Sequence, residues 1–322
     1  MALSGTVLVT GGAGFIGSHI AAALAQSGAR VRIIDDLSTG HLENIKEIGG
    51  ELDFIQASLL DEAALRRVLE DVEVVFHEAA IPSVPRSVEN PRATHEACVE
   101  ATFKLLTMAR EHRVRRIIYA ASSSAYGDQP RLPKVEEMRP DPLSPYAVAK
   151  LVGEYYCQTF TRTYNLETVS LRYFNVFGPR QDPSSQYSGV ISRFIDALMR
   201  GQRPVIYGDG EQSRDFTYVR NVVEANLHAA ETTRGIGHVI NVANGKQITL
   251  NKLLEVLKEI TGQRTIQALY HEPRKGDVRH SLADITRARE MLDYEPHVDL
   301  TEGLRLTLDW WQRSRFATEG RA

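Results

Sequence analysis

A tyrosine and a lysine four residues apart, Tyr146 and Lys150, are the side chains best suited to do chemistry in this sequence. Residues at this spacing lie on one face of a helix, and Ser144 and Pro145 are typical of a helix start. A free phenol titrates at about 10, too high for a base at neutral pH, but a neighbouring positive charge favours the phenolate. The pair therefore indicates a general base, although the same spacing also occurs in chance surface pairs.

A run of hydroxyl side chains precedes this pair. Ser122, Ser123 and Ser124 follow a predicted strand over residues 115–120, and ligands of parallel sheets bind beyond the carboxyl ends of the strands. Serine runs are more often turns or exposed loops. At a strand end, shortly before Tyr146, the run predicts a hydroxyl that reaches the same reacting atom.

The element that must position these groups begins near the N-terminus. A β-branched strand over residues 6–10 is followed by Gly11, Gly14 and Gly17, and an apolar helical run covers residues 16–24. Glycines let the backbone approach a pyrophosphate, and the free N–H groups and dipole of the helix favour its charge. The stretch predicts a dinucleotide-binding turn.

The identity of the dinucleotide is predicted from the second strand, residues 31–34. It ends in Asp35 and Asp36, about 20 residues beyond the glycines, where a carboxylate accepts hydrogen bonds from the adenosine ribose and repels a 2′-phosphate. NAD is therefore favoured over NADP, while Arg30 and Arg32 leave NADP open.

The order of the elements predicts an α/β fold, because short strands alternate with helical patterns along the chain. We predict a Rossmann doubly wound parallel sheet and a smaller, discontinuous α/β substrate lobe. Further strands are predicted at residues 52–55, 72–77, 115–120, 168–172 and 238–242. The NAD-binding domain is assigned to residues 1–177 plus 219–246, and the lobe to residues 178–218 plus 247–322.

The composition narrows the class of protein. The net charge is −3 with no basic block, so nucleic acid is not an expected partner. Apolar runs are too short to span a membrane and no signal peptide is evident, so a cytoplasmic protein is expected. Two cysteines, Cys98 and Cys157, are expected to be reduced thiols, and no residue spacing predicts a metal site.

Taken together, these motifs resemble the extended short-chain dehydrogenase/reductase superfamily, in its nucleotide-sugar epimerase and dehydratase branch. The resemblance rests on residues 10–17, the serine run and the Tyr146 and Lys150 pair, and it continues through residues 171–178, 208–216 and 276–281. Residues 80–87 and 279–284 resemble UDP-N-acetylglucosamine 4-epimerases most closely.

The resemblance implies a reversible oxidation at C4 of a UDP-sugar. Tyr146 would take the proton of the C4 hydroxyl while NAD takes the hydride, Ser122 would relay the proton, and Lys150 would bind the nicotinamide ribose. The keto sugar would then turn over and receive the hydride on its other face. Contacts to NAD are predicted for Gly11, Gly14, Phe15, Ile16, Gly17, Asp35, Asp36, Ser38, Gly40, Ser58, Leu59, Ala79, Ala80, Tyr146, Lys150 and Tyr173.

The substrate half of the site is predicted in the same way. Arg214 and Arg274 suit the diphosphate, Tyr207 suits stacking on uracil, and Ser281 falls at a gate that is bulky in epimerases restricted to glucose and galactose. A serine there leaves room for a 2-acetamido group. The predicted substrate contacts are Ser83, Ser122, Ser123, Tyr146, Asn175, Gly189, Val190, Tyr207, Arg214, Arg274, Asp277 and Ser281.

Other functions stay open at this point. A UDP-glucuronate 4-epimerase or decarboxylase could meet the C6 carboxylate with Arg86, whereas a dehydratase is disfavoured because Ser123 and Ser124 replace the Asp-Glu pair of that motif. A non-catalytic NAD-sensing protein would need neither Tyr146 nor Lys150.

The sequence departs from the family pattern twice. Ser58 stands where Asp is usual and Cys98 where Asn is usual. A homodimer is predicted through helices over residues 94–112 and 145–164. The candidate apolar positions are Val99, Phe103, Leu106, Val152, Tyr156 and Phe160, any of which could instead face the chain's own sheet.

Overall fold

The fold is built on one parallel sheet of seven strands, described in a computed structural model that covers residues 5–182, 189–273 and 278–319. The strand order is β11-β6-β5-β4-β1-β2-β3, with every neighbouring pair parallel. Its strands are β1 (Thr6–Thr10), β2 (Arg30–Asp35), β3 (Leu52–Gln56), β4 (Val72–His77), β5 (Arg116–Ser122), β6 (Glu167–Tyr173) and β11 (Val239–Val242). The predicted α/β fold is confirmed, including the late return of residues 238–242 to the sheet.

Helices cover both faces of this sheet because consecutive residues of the buried strands, which point to opposite faces, are apolar. Val7 and Val9 of β1 pack with helices on one face, and Leu8 packs on the other. The helices of the sheet domain are α1 (Phe15–Gln26), α2 (Glu43–Lys46), α3 (Glu62–Val68), α4 (Val84–Glu89), α5 (Pro91–His95), α6 (Ala101–Glu111), α7 (Pro145–Tyr164) and α9 (Val219–Glu231).

The helix that carries Tyr146 and Lys150 begins as the sequence predicts. The side chain of Ser144 accepts a hydrogen bond from the backbone N–H of Ala147 at 3.2 Å, and Pro145 occupies the first turn of α7. Asn165 ends the helix in the left-handed conformation, with φ of 59°. The cap and the proline fix where α7 starts, and therefore how far Tyr146 stands from the end of β5.

A second hydrophobic core lies apart from the two faces of the sheet. Phe194, Phe216, Leu253 and Leu304 are buried in it. The elements around it are β7 (Val176–Phe177), α8 (Val190–Met199), β8 (Val205–Tyr207), β9 (Ser213–Asp215), β10 (Thr217–Tyr218), β12 (Gln247–Thr249), α10 (Leu250–Thr261), β13 (Leu269–His271) and α12 (Leu300–Glu319). The remaining helix, α11 (Thr286–Leu292), packs on β11 and α9 of the sheet domain.

The described helices include none that is both long and apolar enough to cross a membrane.

Candidate active site

A cavity of about 640 Å³ opens where β1, β2, β4, β5 and β6 end. This is the edge at which ligands of open parallel sheets bind. The cavity runs from the glycine turn after β1 to the end of α7 that carries Tyr146 and Lys150. A single elongated site therefore joins the predicted dinucleotide turn to the predicted base.

The glycines of the turn after β1 line this cavity with backbone atoms and no side chains. Gly11 has φ of +66°, and a Cβ there would lie 2.7 Å from the backbone nitrogen of Ala79. A Cβ on Gly17 would lie 2.3 Å from the carbonyl oxygen of Gly11, so only glycine lets α1 start this close to the turn. Gly14 caps α1 without a side-chain acceptor for the first-turn amides. These amides fit the pyrophosphate of NAD.

The two aspartates after β2 have different surroundings. Asp35 is buried and accepts hydrogen bonds from the backbone amides of Ala13, at 3.0 Å, and Leu37, at 2.8 Å. Burial raises the pKa of its carboxyl group, against those hydrogen bonds. Asp36 is exposed and lines the cavity mouth. Asp35 therefore shapes the glycine turn, and both carboxylates line the cavity and remain predicted contacts of the ribose.

Neither arginine of β2 is available for a 2′-phosphate in this structure. Arg30 forms an ion pair with Glu51 at 2.7 Å. Arg32 donates to the carbonyl oxygens of Val68 and Glu70, at 2.8 and 2.9 Å. Both arginines are held away from the cavity, which agrees with NAD rather than NADP.

The catalytic end of the cavity brings Ser122, Tyr146 and Lys150 together. Lys150 is 3% exposed, its Nζ donates to the carbonyl oxygen of Ala120 at 2.8 Å, and it lies 5.0 Å from the ring centre of Tyr119. Burial lowers the pKa of Lys150, while the nearby Cys98 and Glu78 act to raise it. The ammonium is therefore fixed at the end of β5.

The phenol of Tyr146 differs from the expectation based on Lys150 alone. Burial raises its pKa, Cys98 and Glu78 add to the rise, and a hydrogen bond with Ser122 opposes it. In the protein by itself the phenol is thus held neutral, and a further positive charge is needed to draw out its proton.

Ser122 is oriented by the serine run that follows it. Its Oγ accepts hydrogen bonds from the backbone N–H of Ser124 at 3.2 Å and from the Ser124 hydroxyl at 2.8 Å. Because two donors already point at this oxygen, the Ser122 proton is free to turn toward the cavity and Tyr146. Ser124 thereby acts as a positioning residue, and Ser123 starts a short 3₁₀ turn without lining the cavity.

Most predicted cofactor residues line the cavity. The exception is Gly40, where a Cβ would lie 2.9 Å from the Asp35 carboxylate, so this glycine packs behind the aspartate. Ser58 lines the cavity and accepts from the backbone N–H of Leu60 at 3.2 Å. The others that line it are Gly11, Gly14, Phe15, Ile16, Gly17, Asp35, Asp36, Ser38, Leu59, Ala79, Ala80 and Tyr173.

The predicted substrate residues are more dispersed. Asn175 lines the cavity, and its amide donates to the carbonyl oxygen of Asp215 at 2.9 Å. Ser83 caps α4 by accepting from the backbone N–H of Arg86 at 3.2 Å. Outside the cavity lining lie Ser83, Ser123, Gly189, Val190, Tyr207, Arg214 and Ser281, whereas Arg274 and Asp277 fall outside the described residues.

Several cavity residues were missed from the sequence. Glu78 directly follows β4, and inspecting every residue after a strand would have found it. The small residues Ala93, Ala97 and Ala101 come from the helices before α7, where no sequence signal marks a ligand contact. Cys98 lies among them in a π-helical turn, Glu96–Glu100, and is 1% exposed.

Comparison with known proteins identifies the class that this fold and site define. A family model described as the NAD dependent epimerase/dehydratase family matches residues 7–243, and the chain belongs to that family. It is therefore an NAD-dependent enzyme of this type, as the sequence predicted.

Particular relatives extend over nearly the whole chain. A UDP-N-acetylglucosamine 4-epimerase from Methanobrevibacter ruminantium, solved with UDP-N-acetylmuramic acid, is 43% identical, covers 97% of this chain and 99% of its own, and superposes with a TM-score of 0.92. A UDP-glucose 4-epimerase from Thermotoga maritima, solved with UDP-glucose, is 41% identical, with 96% and 99% covered and a TM-score of 0.92. A UDP-glucuronic acid 4-epimerase from Bacillus cereus, solved with UDP-glucuronic acid and NAD, is 33% identical, with 96% and 99% covered and a TM-score of 0.89.

Proposed function

We propose that this protein is a UDP-sugar 4-epimerase that interconverts UDP-GlcNAc and UDP-GalNAc and also accepts UDP-Glc and UDP-Gal. The observation that carries the proposal is the meeting of Ser122, Tyr146 and Lys150 at one end of the cavity whose other end fits NAD. The 43% identity to a UDP-N-acetylglucosamine 4-epimerase supports the choice of sugar.

In this proposal, NAD held in the cavity would supply the hydride acceptor and donor for C4 of the sugar. Tyr146 takes the proton of the C4 hydroxyl and later gives it back, because its phenol lines the cavity beside Ser122. Ser122 hydrogen-bonds the same oxygen with the proton that Ser124 leaves free. Lys150, fixed on the carbonyl of Ala120, holds the nicotinamide ribose. The keto sugar then turns over and takes the hydride on its opposite face.

The nucleotide of the substrate is proposed to lie against the smaller lobe. Arg214 stands on β9 and donates to the carbonyl oxygens of Ser213 and Arg279, at 2.9 and 3.3 Å. Tyr207 ends β8, with its ring 5.8 Å from that of His271. A cation in the middle of β9 and an aromatic ring at the end of β8 suit a diphosphate and a uracil.

Ser281 is proposed as the residue that admits the acetamido group. Its backbone N–H donates to the carbonyl oxygen of Ser213 at 3.1 Å. Ser213 is the first residue of β9, and Asp215 is the last. The carbonyl oxygen of Asp215 accepts from Asn175, which lines the cavity. Hydrogen bonds through β9 therefore connect Ser281 with Asn175 in the cavity lining.

Replacing Ser281 by Tyr should narrow the substrate range. We expect kcat/KM for UDP-GlcNAc to fall by about 10- to 200-fold while that for UDP-Gal is spared, as for a pocket that loses room for one group. Initial rates are measured for each purified variant with UDP-GlcNAc and UDP-Gal. The wild type is also incubated with UDP-Glc and UDP-glucuronate, and the sugar isomers are resolved.

Ser281→Ala is the matched control, because it keeps the space and should accept both sugars. An equal fall for both substrates in Ser281→Tyr would rule out the gate. If the wild type turns over UDP-glucuronate but not UDP-GlcNAc, the proposed substrate is wrong and UDP-glucuronate takes its place.

UDP-glucuronate 4-epimerase is the second candidate, favoured by the 33% identity to the Bacillus cereus enzyme. Decarboxylation of the same substrate stays a prediction that this incubation also tests. Arg86 lies on α4, which Ser83 caps beside the cavity residues Ile81 and Pro82. A dehydratase lacks support, since Ser123 and Ser124 carry no group that titrates near neutrality.

The division into an NAD-binding domain, 1–177 plus 219–246, and a UDP-sugar lobe, 178–218 plus 247–322, is also a proposal. The separate core around Phe194 and Leu253 supports it. Asp215 is buried at the junction, and its carboxylate accepts backbone N–H groups of Asn244, Gly245 and Ala283 at 3.1 to 3.2 Å.

A homodimer is predicted from apolar side chains that α6 and α7 leave exposed. Phe103, Val148 and Tyr155 are 41%, 46% and 53% exposed, whereas Leu106 and Phe160 are buried in the chain's own core. Light scattering should give about twice the chain mass of 36.0 kDa. Phe103→Arg should give a monomer, and a wild-type monomer at micromolar concentration would refute the prediction.

A further inference from the structure

Glu78 presents a carboxyl group to the catalytic end of the cavity. It directly follows β4, its backbone N–H donates to the carbonyl oxygen of Thr10 at 3.2 Å, and its side chain lines the cavity. Its Oε1 accepts the hydroxyl proton of Tyr173 at 2.8 Å. The side chain thus reaches from the end of β4 to the end of β6, passing the small residues that end β5.

The hydroxyl proton of Tyr173 has two possible acceptors. The Nδ2 of buried Asn226 donates to the Tyr173 oxygen at 2.8 Å and to the carbonyl oxygen of Val222 at 2.8 Å. The Tyr173 hydroxyl lies 2.8 Å from the Oε1 of Glu78 and 3.1 Å from the Oδ1 of Asn226. The contact with Glu78 is the shorter one, and a hydrogen bond donated to Glu78 favours its carboxylate form.

Three other acids line this cavity. Glu96 pairs with Arg92 at 2.9 Å, and Asp35 and Asp36 lie at the end of β2, where they accept backbone amides. Within the described part of the chain, Glu78 forms no ion pair shorter than 4.0 Å. Lys150 acts on it electrostatically, but the Nζ of Lys150 is held on the carbonyl of Ala120. A negative charge here has no positive partner in contact.

We infer that Glu78 is the counter-charge for the oxidised nicotinamide and biases the bound cofactor toward NAD⁺. The inference rests on the proposed function, because a hydride acceptor that reacts beside Tyr146 brings its reactive ring to this end of the cavity. The two forms of the cofactor differ by one positive charge on that ring. A carboxylate facing the ring stabilises its positive charge in NAD⁺ and gives no such stabilisation to the neutral ring of NADH.

This bias serves an enzyme that must end each turnover oxidised. Lys150 is a cation at the same end of the cavity and opposes the positive ring, so Glu78 compensates for it. Unit charges roughly 8 Å apart at an effective dielectric constant of about 20 interact strongly enough to change a binding ratio by about thirtyfold. In this role Glu78 acts through its charge on the nicotinamide ring and does not transfer a proton.

The test compares affinities for the two cofactor forms. Calorimetric titration of cofactor-free protein with NAD⁺ and with NADH gives the ratio of the two dissociation constants. In Glu78→Gln, which keeps an oxygen to accept from Tyr173, the preference for NAD⁺ should fall by at least about tenfold. Glu73→Gln is the matched control, because Glu73 lies on β4, the strand that Glu78 directly follows, and pairs with Arg115 at 2.9 Å. An unchanged ratio in Glu78→Gln would overturn the inference.

Two further measurements separate charge from packing. Tyr173→Phe removes a hydrogen bond that favours the carboxylate, so its cofactor ratio is compared at pH 8.5, where Glu78 is ionised. At that pH it should move the ratio much less than Glu78→Gln, and an equal or larger effect would overturn the inference. In the wild type, burial raises the pKa of Glu78 to about 7. The preference for NAD⁺ should therefore strengthen between pH 6 and pH 8.5 as Glu78 ionises, a rise that Glu78→Gln should lack.

The groups that face Glu78 do not reproduce this pattern. Burial lowers the pKa of His77 to about 3 and raises those of Tyr146 and Tyr173. Burial also lowers the pKa of Lys150, but its titration would persist in Glu78→Gln. The cofactor ratio needs no sugar. A protein that epimerises no UDP-sugar yet shows the ratio shift would refute the proposed function alone.

Discussion

Tyr146→Phe should lower the rate of epimerisation by about 10²–10⁴-fold, the range expected for loss of a positioned acid–base group. The ring stays, so the cavity wall between Ser122 and Lys150 keeps its shape. The phenol oxygen is the part removed, and in the proposed reaction it both takes and returns the proton at C4. The measurement is kcat/KM for UDP-GlcNAc, with circular dichroism to confirm folding.

The pH dependence gives this prediction a second readout. Burial raises the pKa of Tyr146, so the reactive phenolate is scarce in neutral solution and grows as pH rises. The wild-type rate should therefore increase with pH until the phenol of the loaded enzyme is ionised. The residual rate of Tyr146→Phe should lack that rise.

Tyr156→Phe is the matched control for Tyr146→Phe. Tyr156 lies on the same helix, and its ring packs against Phe103 at 5.1 Å, away from the cavity. It should keep full activity. Epimerisation that survives Tyr146→Phe within tenfold of wild type would remove the proposed base and leave an NAD-binding protein of another function.

The parts of this molecule that are local in sequence were predictable from it. The strands are runs of buried apolar residues, the glycine turn is a fixed spacing, and Ser144 with Pro145 marks the start of α7. Because the carboxyl ends of parallel strands meet at one edge, these local signals also predicted that Ser122 and Tyr146 share a cavity.

The contacts that depend on side-chain reach were not predictable. Glu78 meets Tyr173, 95 residues away, and no pattern in either segment announces the other. Ser83 caps α4 and Gly40 packs against the Asp35 carboxylate, and neither contact is marked by a pattern in the sequence. A sequence shows which residues end a strand or start a helix, but not which neighbour a side chain then chooses.

The buried ion pair between Glu154 and Arg172 leads to the largest expected effect on stability. The Arg172 Nε and Nη2 donate to the two carboxylate oxygens of Glu154 at 2.8 and 2.7 Å, and the side chains of Arg172 and Glu154 are 4% and 1% exposed. Burial would lower the pKa of Arg172, but the hydrogen bonds and charge of Glu154 outweigh it and raise that pKa. The guanidinium also lies 4.6 Å from the ring centre of Tyr126.

Glu154→Ala should cost about 3–5 kcal/mol, because it leaves a buried guanidinium without its counter-charge. For a chain of this size that corresponds to a thermal midpoint lower by roughly 4–8 °C. Glu73→Ala is the surface control: its pair with Arg115 is 38% exposed on both sides and should contribute about 0–1 kcal/mol.

The pair is expected to confer specificity on the fold rather than net stability. If so, replacing both partners by apolar residues, as in Glu154→Leu with Arg172→Met, should recover most of the loss, since neither charge is then stranded. Recovery of stability without recovery of activity would show that the pair sets the position of α7. Glu154 lies one turn beyond Lys150 on that helix, so its contact with β6 fixes the distance from Lys150 and Tyr146 to the strand ends. A single Glu154→Ala variant as stable as the Glu73→Ala control would contradict this account.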